Sequence, residues 1–273
     1  MDAMQISQAL SEGLQTLNQT SPTPRLDAEL LLSHVLGVTK SWLIAHGDDS
    51  LTKQQYEAFA VLCAQRALHQ PVAYLTGRKE FYGRSFGVTP KVLIPRPETE
   101  ALIDTLKRQA LAGRILDVGT GSGALGITLK LEDPGCSMTV SDVSEHALAV
   151  ARANASALGA KPIRYVQSDL LEHWLSHGKP KPFDVIVSNL PYVDRGWDDT
   201  SPELTHEPAL ALYAEDGGLA LIKRLIDQAP KLLVRGGHLL LEADPTQHDA
   251  IVTYATNFSE VERQDYALLL QKI

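Results

Sequence analysis

From about residue 114 the chain alternates between short apolar runs and amphipathic stretches, and that alternation restricts its folding more than any other feature. Ile115-Leu116-Asp117-Val118-Gly119 is followed by a helical stretch from Ser122. Ser137–Asp142 precedes a helix over Glu145–Leu158, and Ile163–Asp169 precedes a short helix. A fourth run, Phe183–Asn189, leads into an Asp- and Pro-rich loop over 194–208. A helix over Gly218–Ala229, a strand His238–Glu242, a helix Gln247–Ala255 and two last strands near 260 and 268 complete the pattern. Apolar runs of four to six residues alternating with helix-length segments predict a mostly parallel sheet covered by helices on both faces. Ligands of such sheets bind beyond the carboxyl ends of the strands.

The N-terminal part reads differently. Ile6, Leu10, Leu14 and Leu17 recur at helical spacing, Ser21-Pro22-Thr23-Pro24 interrupts, and Leu26, Leu30, Leu31, Val35 and Leu36 form a second face before Gly37. Trp42-Leu43-Ile44 is a third apolar segment, and Thr52 is placed to cap a longer helix through Tyr56, Phe59 and Leu62. Residues 1–77 are therefore expected to form a small helical domain carrying no chemistry of its own. Phe81, Tyr82, Phe86 and Val88, punctuated by Gly83 and Gly87, read as a hairpin, so residues 78–96 are expected to link that domain to a larger one over 97–273.

Charge and cysteine content narrow the functional classes. Residues 1–100 hold 9 Lys/Arg against 10 Asp/Glu, and residues 101–273 hold 16 against 23, so most of the net charge of −8 sits on the α/β part. An acidic domain lacks the basic stripe that duplex nucleic acid attracts, and no direct nucleic-acid partner is expected. Cys63 and Cys136 form no CxxC, and no HExxH or Cys/His cluster is present, so no metal is expected. The polar start of the chain and the absence of a long apolar run predict a cytoplasmic protein with no membrane partner.

Two motifs carry the chemistry. Asp117-Val118-Gly119-Thr120-Gly121-Ser122-Gly123 follows a strand and opens a helix, where glycines admit a ligand close to the backbone and free N–H groups face it. Asp142 ends the next strand, placed for the two ribose hydroxyls of an adenosine. Asp169 and Leu170 end the third, placed for the adenine amine and ring. Gly121–Gly126 also matches G-x-G-x-x-G, which keeps a nicotinamide dehydrogenase in view. The tighter glycine spacing after Asp117 favours S-adenosylmethionine.

The second motif, Asn189-Leu190-Pro191-Tyr192, ends the fourth apolar run. The Asn189 side-chain oxygen and the Leu190 main-chain carbonyl can both accept from one planar NH2 group. Pro191 stiffens the turn and Tyr192 can cover the flat face of that group. Such a turn has no task in hydride transfer, but it can hold an amide or exocyclic amine for methylation. Ile94-Pro95-Arg96-Pro97-Glu98-Thr99-Glu100 combines a helix start with an arginine between two prolines, and Arg96 is a candidate substrate contact.

With these residues in place the chain resembles the HemK/PrmC family of class I methyltransferases. The resemblance runs through Glu80–Gly83, Ile94–Glu100, Asp117–Gly123, Ser188–Tyr192, Glu207–Leu212 and Gly236–Glu242. It implies a Rossmann-like α/β domain with a seven-stranded, mostly parallel sheet behind a helical substrate-recognition domain. It also implies an enzyme that methylates the side-chain nitrogen of the glutamine in the GGQ motif of peptide chain release factors, and a monomer is expected. The Arg-Pro-Glu-Thr-Glu stretch separates this family from the ribosomal-protein glutamine methyltransferases. Two positions depart from the family pattern: Leu190 replaces the usual proline, and Ala243-Asp244 replaces a glycine after Glu242. Asn-Leu-Pro-Tyr also resembles the motif of rRNA adenine dimethylases, so the alternative enzymes are an adenine-N6 methyltransferase acting on rRNA or DNA and a ribosomal-protein glutamine methyltransferase. A methyltransferase fold kept only for docking to a release factor or ribosome is the non-enzymatic alternative.

Overall fold

The computed structural model describes residues 4–178, 181–197 and 201–273. The first three residues of the polar start and part of the Asp- and Pro-rich loop lie outside them. Contacts divide the chain into two units, residues 1–78 with Ser201–His206, and residues 79–200 with Glu207–Ile273.

The first unit holds five helices, α1 (Ile6–Leu17), α2 (Pro24–Leu36), α3 (Lys40–Ala45), α4 (Lys53–Ala67) and α5 (Val72–Thr76). Pro24 occupies the first turn of α2 and Gly37, at φ +69°, ends it in the left-handed conformation. Thr52 caps α4 through a reciprocal pair with Gln55. Ile6, Leu17, Leu31, Leu32, Leu43 and Phe59 fill the core between the helices. Arg66 is buried on α4 and donates to Asp27 Oδ2 at 2.6 Å and to Glu203 Oε1 at 2.6 Å. A segment 137 residues downstream is thereby tied to the helical unit.

The second unit begins with a hairpin of β1 (Arg78–Phe81) and β2 (Arg84–Gly87), followed by a single 3-10 turn at Pro97–Thr99 and α6 (Glu100–Arg108). Then come β3 (Arg114–Val118), α7 (Ala124–Glu132), β4 (Ser137–Asp142), α8 (Glu145–Leu158), β5 (Ile163–Gln167), α9 (Glu172–Ser176) and β6 (Phe183–Ser188). The last elements are α10 (Ala220–Gln228), β7 (Leu233–Glu242), α11 (His248–Tyr254), β8 (Phe258–Gln264) and β9 (Ala267–Lys272). The seven strands from β3 onward form one sheet in the order β5-β4-β3-β6-β7-β9-β8. β9 runs antiparallel to both of its neighbours and the other neighbouring pairs are parallel. The mostly parallel sheet expected from the alternation is present, with the seven strands that the resemblance implies.

Neighbouring residues of the central strands serve opposite faces. Leu116, Ile186, Leu239 and Leu241 join one apolar cluster, and Ile115, Val185, Val187 and Leu240 join the other. Burial on both faces explains why these strands read as unbroken apolar runs, and each such side chain contributes about 1.5–3 kcal/mol. Strand β7 starts five residues earlier than the apolar pattern suggests. Its first residues pair at Phe183↔Leu233, before a register shift around Gly236-Gly237 resumes pairing at Val185↔His238.

The order places a topological switch between β3 and β6. The chain builds outward from β3 through β4 to β5, then returns to the other side of β3 as β6. Crevices at such switch points open at the carboxyl ends of the two strands, and both sequence motifs sit there.

Candidate active site at the carboxyl ends of β3 and β6

The glycine loop leaves β3 with Gly119, Gly121 and Gly123 at φ +74°, +56° and +83°. The N–H groups of Gly119 and Thr120 both donate to the Ser141 carbonyl at 2.9 Å, holding the loop against the end of β4. The Asp117 carboxylate turns inward and accepts from Thr120 Oγ1 at 2.6 Å and from the Gly126 N–H at 3.0 Å. A Cβ on Gly126 would stand 2.7 Å from both Asp117 Oδ2 and Val140 Cγ1. Close packing of α7 on the sheet therefore accounts for this glycine, and with it the last position of the G-x-G-x-x-G match. Asp117 is 1% exposed, and burial pushes its pKa up to about 7.

Asp142 ends β4 with its Oδ2 on the Gly121 N–H and its Oδ1 on the Ser144 N–H, each at 2.9 Å. Burial raises its pKa against the pull of those N–H groups. Asp169 and Leu170 follow the end of β5. The Asp169 carboxylate pairs with Arg224 at 2.9 Å, both half exposed, and Leu170 turns into the core with 6% of its surface left. Neither lines the cavity described next.

That cavity is bounded by the glycine loop, Asp117, Phe81, Pro95, Arg96, Thr99 and Asn189. A Cβ on Gly119 would lie 3.1 Å from Leu190 Cδ2 and 3.8 Å from the Asn189 carbonyl, so the two motifs meet directly. Ser188 locks the end of β6 by donating to the Val118 carbonyl at 2.7 Å. Asn189 donates from Nδ2 to Thr99 Oγ1 at 3.0 Å, which turns its Oδ1 away from that contact. Among the described residues no donor takes the Asn189 Oδ1 or the Leu190 carbonyl. The Leu190 side chain is buried in the core. Gln247 Nε2 fixes the far side of the turn through the Tyr192 carbonyl at 3.0 Å. The Tyr192 hydroxyl reaches Glu242 Oε1 at 3.1 Å, and burial beside that carboxyl raises the tyrosine's pKa.

The Arg-Pro-Glu-Thr-Glu stretch keys into three other segments. Arg96 donates to Glu207 Oε1, while the other oxygen of Glu207 takes the Ile94 N–H at 3.0 Å. Thr99 receives Asn189, and Glu100 takes the Tyr82 N–H of the hairpin at 2.8 Å. Thr99, Glu207 and Glu242 lie outside the residues singled out individually from the sequence, although each falls inside a stretch that carried the resemblance. Among the described residues no group of three or more His, Cys, Asp or Glu is arranged for a metal, and no helix is long and apolar enough to cross a membrane.

Sheet order, glycine loop and paired acceptors at the switch point define a class I methyltransferase. A methyltransferase from Pyrococcus furiosus shares the fold, with a TM-score of 0.52 at 21% identity over 71% of this chain and 91% of that one. The methyltransferase small domain family matches residues 97–207, and the PrmC N-terminal domain family matches residues 8–77. The release factor glutamine methyltransferase of Salmonella typhimurium is 40% identical over 256 residues, 90% of each chain. That of Chlorobaculum tepidum is 43% identical over 230 residues, 80% of this chain and 78% of its own. The chain belongs to the release factor glutamine methyltransferase family.

Proposed function

We propose that this protein methylates the side-chain amide nitrogen of the GGQ glutamine in class I peptide chain release factors, using S-adenosylmethionine. The observation that carries the reading is the pair of unclaimed acceptors, Asn189 Oδ1 and the Leu190 carbonyl, beside the glycine loop. When bound, S-adenosylmethionine supplies a methyl group on a positively charged sulfur. The residues present suit that cofactor: a glycine cradle after β3 that admits a ligand close to the backbone, and the Asp142 carboxylate at the end of β4, steadied by the Gly121 and Ser144 N–H groups, with lone pairs left for ribose hydroxyls.

An amide nitrogen is a poor nucleophile because its lone pair is delocalised into the carbonyl. Two acceptors on its hydrogens raise the electron density on nitrogen and stabilise the positive charge that develops there. Tyr192 and Pro191 wall the amide and Leu190 anchors the turn, so the nitrogen is held in one direction. Arg96 is assigned a substrate contact, a reading supported by its place on the cavity wall, where Glu207 neutralises its charge. Asp169 and Leu170 belong to the adenine side of the cofactor site, with Asp169 exchanging Arg224 for the ligand. The helical unit recognises the body of the release factor. The protein works as a cytoplasmic monomer with no direct contact to nucleic acid, a reading its acidic charge supports.

Replacing Asn189 by Ala tests the assignment. Loss of one preorganised partner costs on the order of 10²–10³ in kcat, and near-native methylation by Asn189→Ala would sink it.

A further inference from the structure

Glu242 is the last residue of β7, next to the end of β6 through the pair Ser188↔Leu241. It is 1% exposed. One carboxyl oxygen accepts from the Tyr192 hydroxyl, and the other, Oε2, is sealed from solvent without a hydrogen-bond partner. The Thr99 hydroxyl favours the charged form of this carboxyl but makes no hydrogen bond to the sealed oxygen in this structure. Its one recorded bond is the one it accepts from Asn189, so its hydrogen has no recorded acceptor among the described residues. A sealed carboxyl with a spare oxygen is costly unless it does something, and both of its hydroxyl neighbours belong to the acceptor clamp.

We propose that Glu242 is a positioning residue for methyl transfer: as a carboxylate it draws the Thr99 hydrogen, and Thr99 then keeps the Asn189 oxygen facing the substrate amide. The inference rests on the glutamine-methylating role assigned to Asn189 above. A threonine hydroxyl has one hydrogen and two lone pairs. With its hydrogen on a carboxylate, Thr99 can only accept from Asn189, which must present Nδ2 inward and Oδ1 to the cavity. A protonated Glu242 can instead donate to Thr99. The Thr99 hydrogen is then free to meet Asn189 Oδ1, the amide can turn over, and Nδ2 would confront the substrate's own NH2 group, donor against donor.

The charges around Glu242 place both forms within reach of neutral pH. Burial raises its pKa to about 7, Glu98 adds to the rise and Arg96 opposes it, while the Thr99 and Tyr192 hydroxyls favour the carboxylate. Tyr266 packs on Tyr192 with ring centroids 6.5 Å apart. Tyr266 also feels the Glu242 charge, as it does those of Asp244 and Glu98.

The test is kcat and KM for methylation of a purified release factor between about pH 5.5 and 8.5, for the wild type, Glu242→Gln and Thr99→Val. S-adenosylmethionine binding by equilibrium dialysis is measured in parallel. The wild-type kcat should rise through a midpoint near neutrality. Both variants should show a flat, low profile, down on the order of 10²-fold in kcat, with KM and cofactor affinity retained. A Glu242→Gln enzyme that keeps the wild-type kcat or midpoint would overturn the inference. So would a cofactor affinity that falls in step with kcat in both variants, since that assigns Glu242 to folding alone. Absence of methylation by the wild type at every pH would instead strike the underlying functional reading, and the inference with it.

Discussion

Asn189 and Thr99 stand 90 residues apart in the chain, and the side-chain amide of one donates to the hydroxyl of the other at 3.0 Å. With Asn189 as the proposed amide clamp, that bond sets which end of its side chain is turned toward the cavity. Thr99→Ser keeps the hydroxyl and should keep most of the activity. Thr99→Ala removes it and should cost on the order of 10²-fold in kcat. Steady-state kinetics on the two variants separates the orienting hydroxyl from the bulk of the side chain.

Gly126 tests the cofactor loop. A methyl group there meets Asp117 Oδ2 and Val140 Cγ1 at 2.7 Å, atoms of two strands that cannot both retreat. Gly126→Ala should destabilise the protein by about 1–3 kcal/mol and weaken S-adenosylmethionine binding, because Asp117 also carries Thr120. Thermal unfolding with and without cofactor reads both effects.

The Arg96–Glu207 pair gives an asymmetric expectation. The Glu207 side chain is 1% exposed, whereas Arg96 retains 30%. Arg96→Ala strands a buried carboxylate, a change that costs about 3–5 kcal/mol for fully buried pairs and less here, where Arg96 is partly solvated. Glu207→Gln keeps an acceptor for the Ile94 N–H. It should be the milder variant in a denaturant titration.

Two buried carboxyls set the pH dependence of stability. Asp117 and Glu242 hold their protons to about pH 7 in the folded chain, whereas in the unfolded chain they release them in the ordinary carboxylate range. The folded state therefore binds more protons through this window. Their contribution is fully present below the unfolded pKa values and is lost as pH rises from the ordinary carboxylate range through neutrality, by at most about 4 kcal/mol for Asp117 and about 3 kcal/mol for Glu242. Surface carboxylates such as Glu260 and Glu262, lowered by Arg263 and Arg108, act below that window. Melting temperature should fall from pH 6 to pH 8, and Glu242→Gln should flatten the fall while slowing catalysis.

Strand ends were the legible part of the sequence. Val185-Ile186-Val187 reads as a buried strand because both of its faces are covered, and the polar Ser188-Asn189 that follows marks where the sheet stops. The glycines of the loop were legible for the same local reason. Partnerships across the chain were not: Tyr192 with Glu242, 50 residues apart, and Asn189 with Thr99 depend on how β6, β7 and the turn before α6 converge. The place of Asp169 and Leu170 after β5 is legible in the sequence, but the pairing of Asp169 with Arg224, 55 residues downstream, and the burial of Leu170 depend on packing that no local pattern encodes.

The central claim is the identity of the methyl acceptor. The most direct measurement incubates the purified protein with labelled S-adenosylmethionine and, separately, a purified release factor and bulk rRNA. The account predicts label on the release factor that disappears when its GGQ glutamine is replaced. Label on RNA alone would contradict it and assign the Asn-Leu-Pro-Tyr turn to adenine.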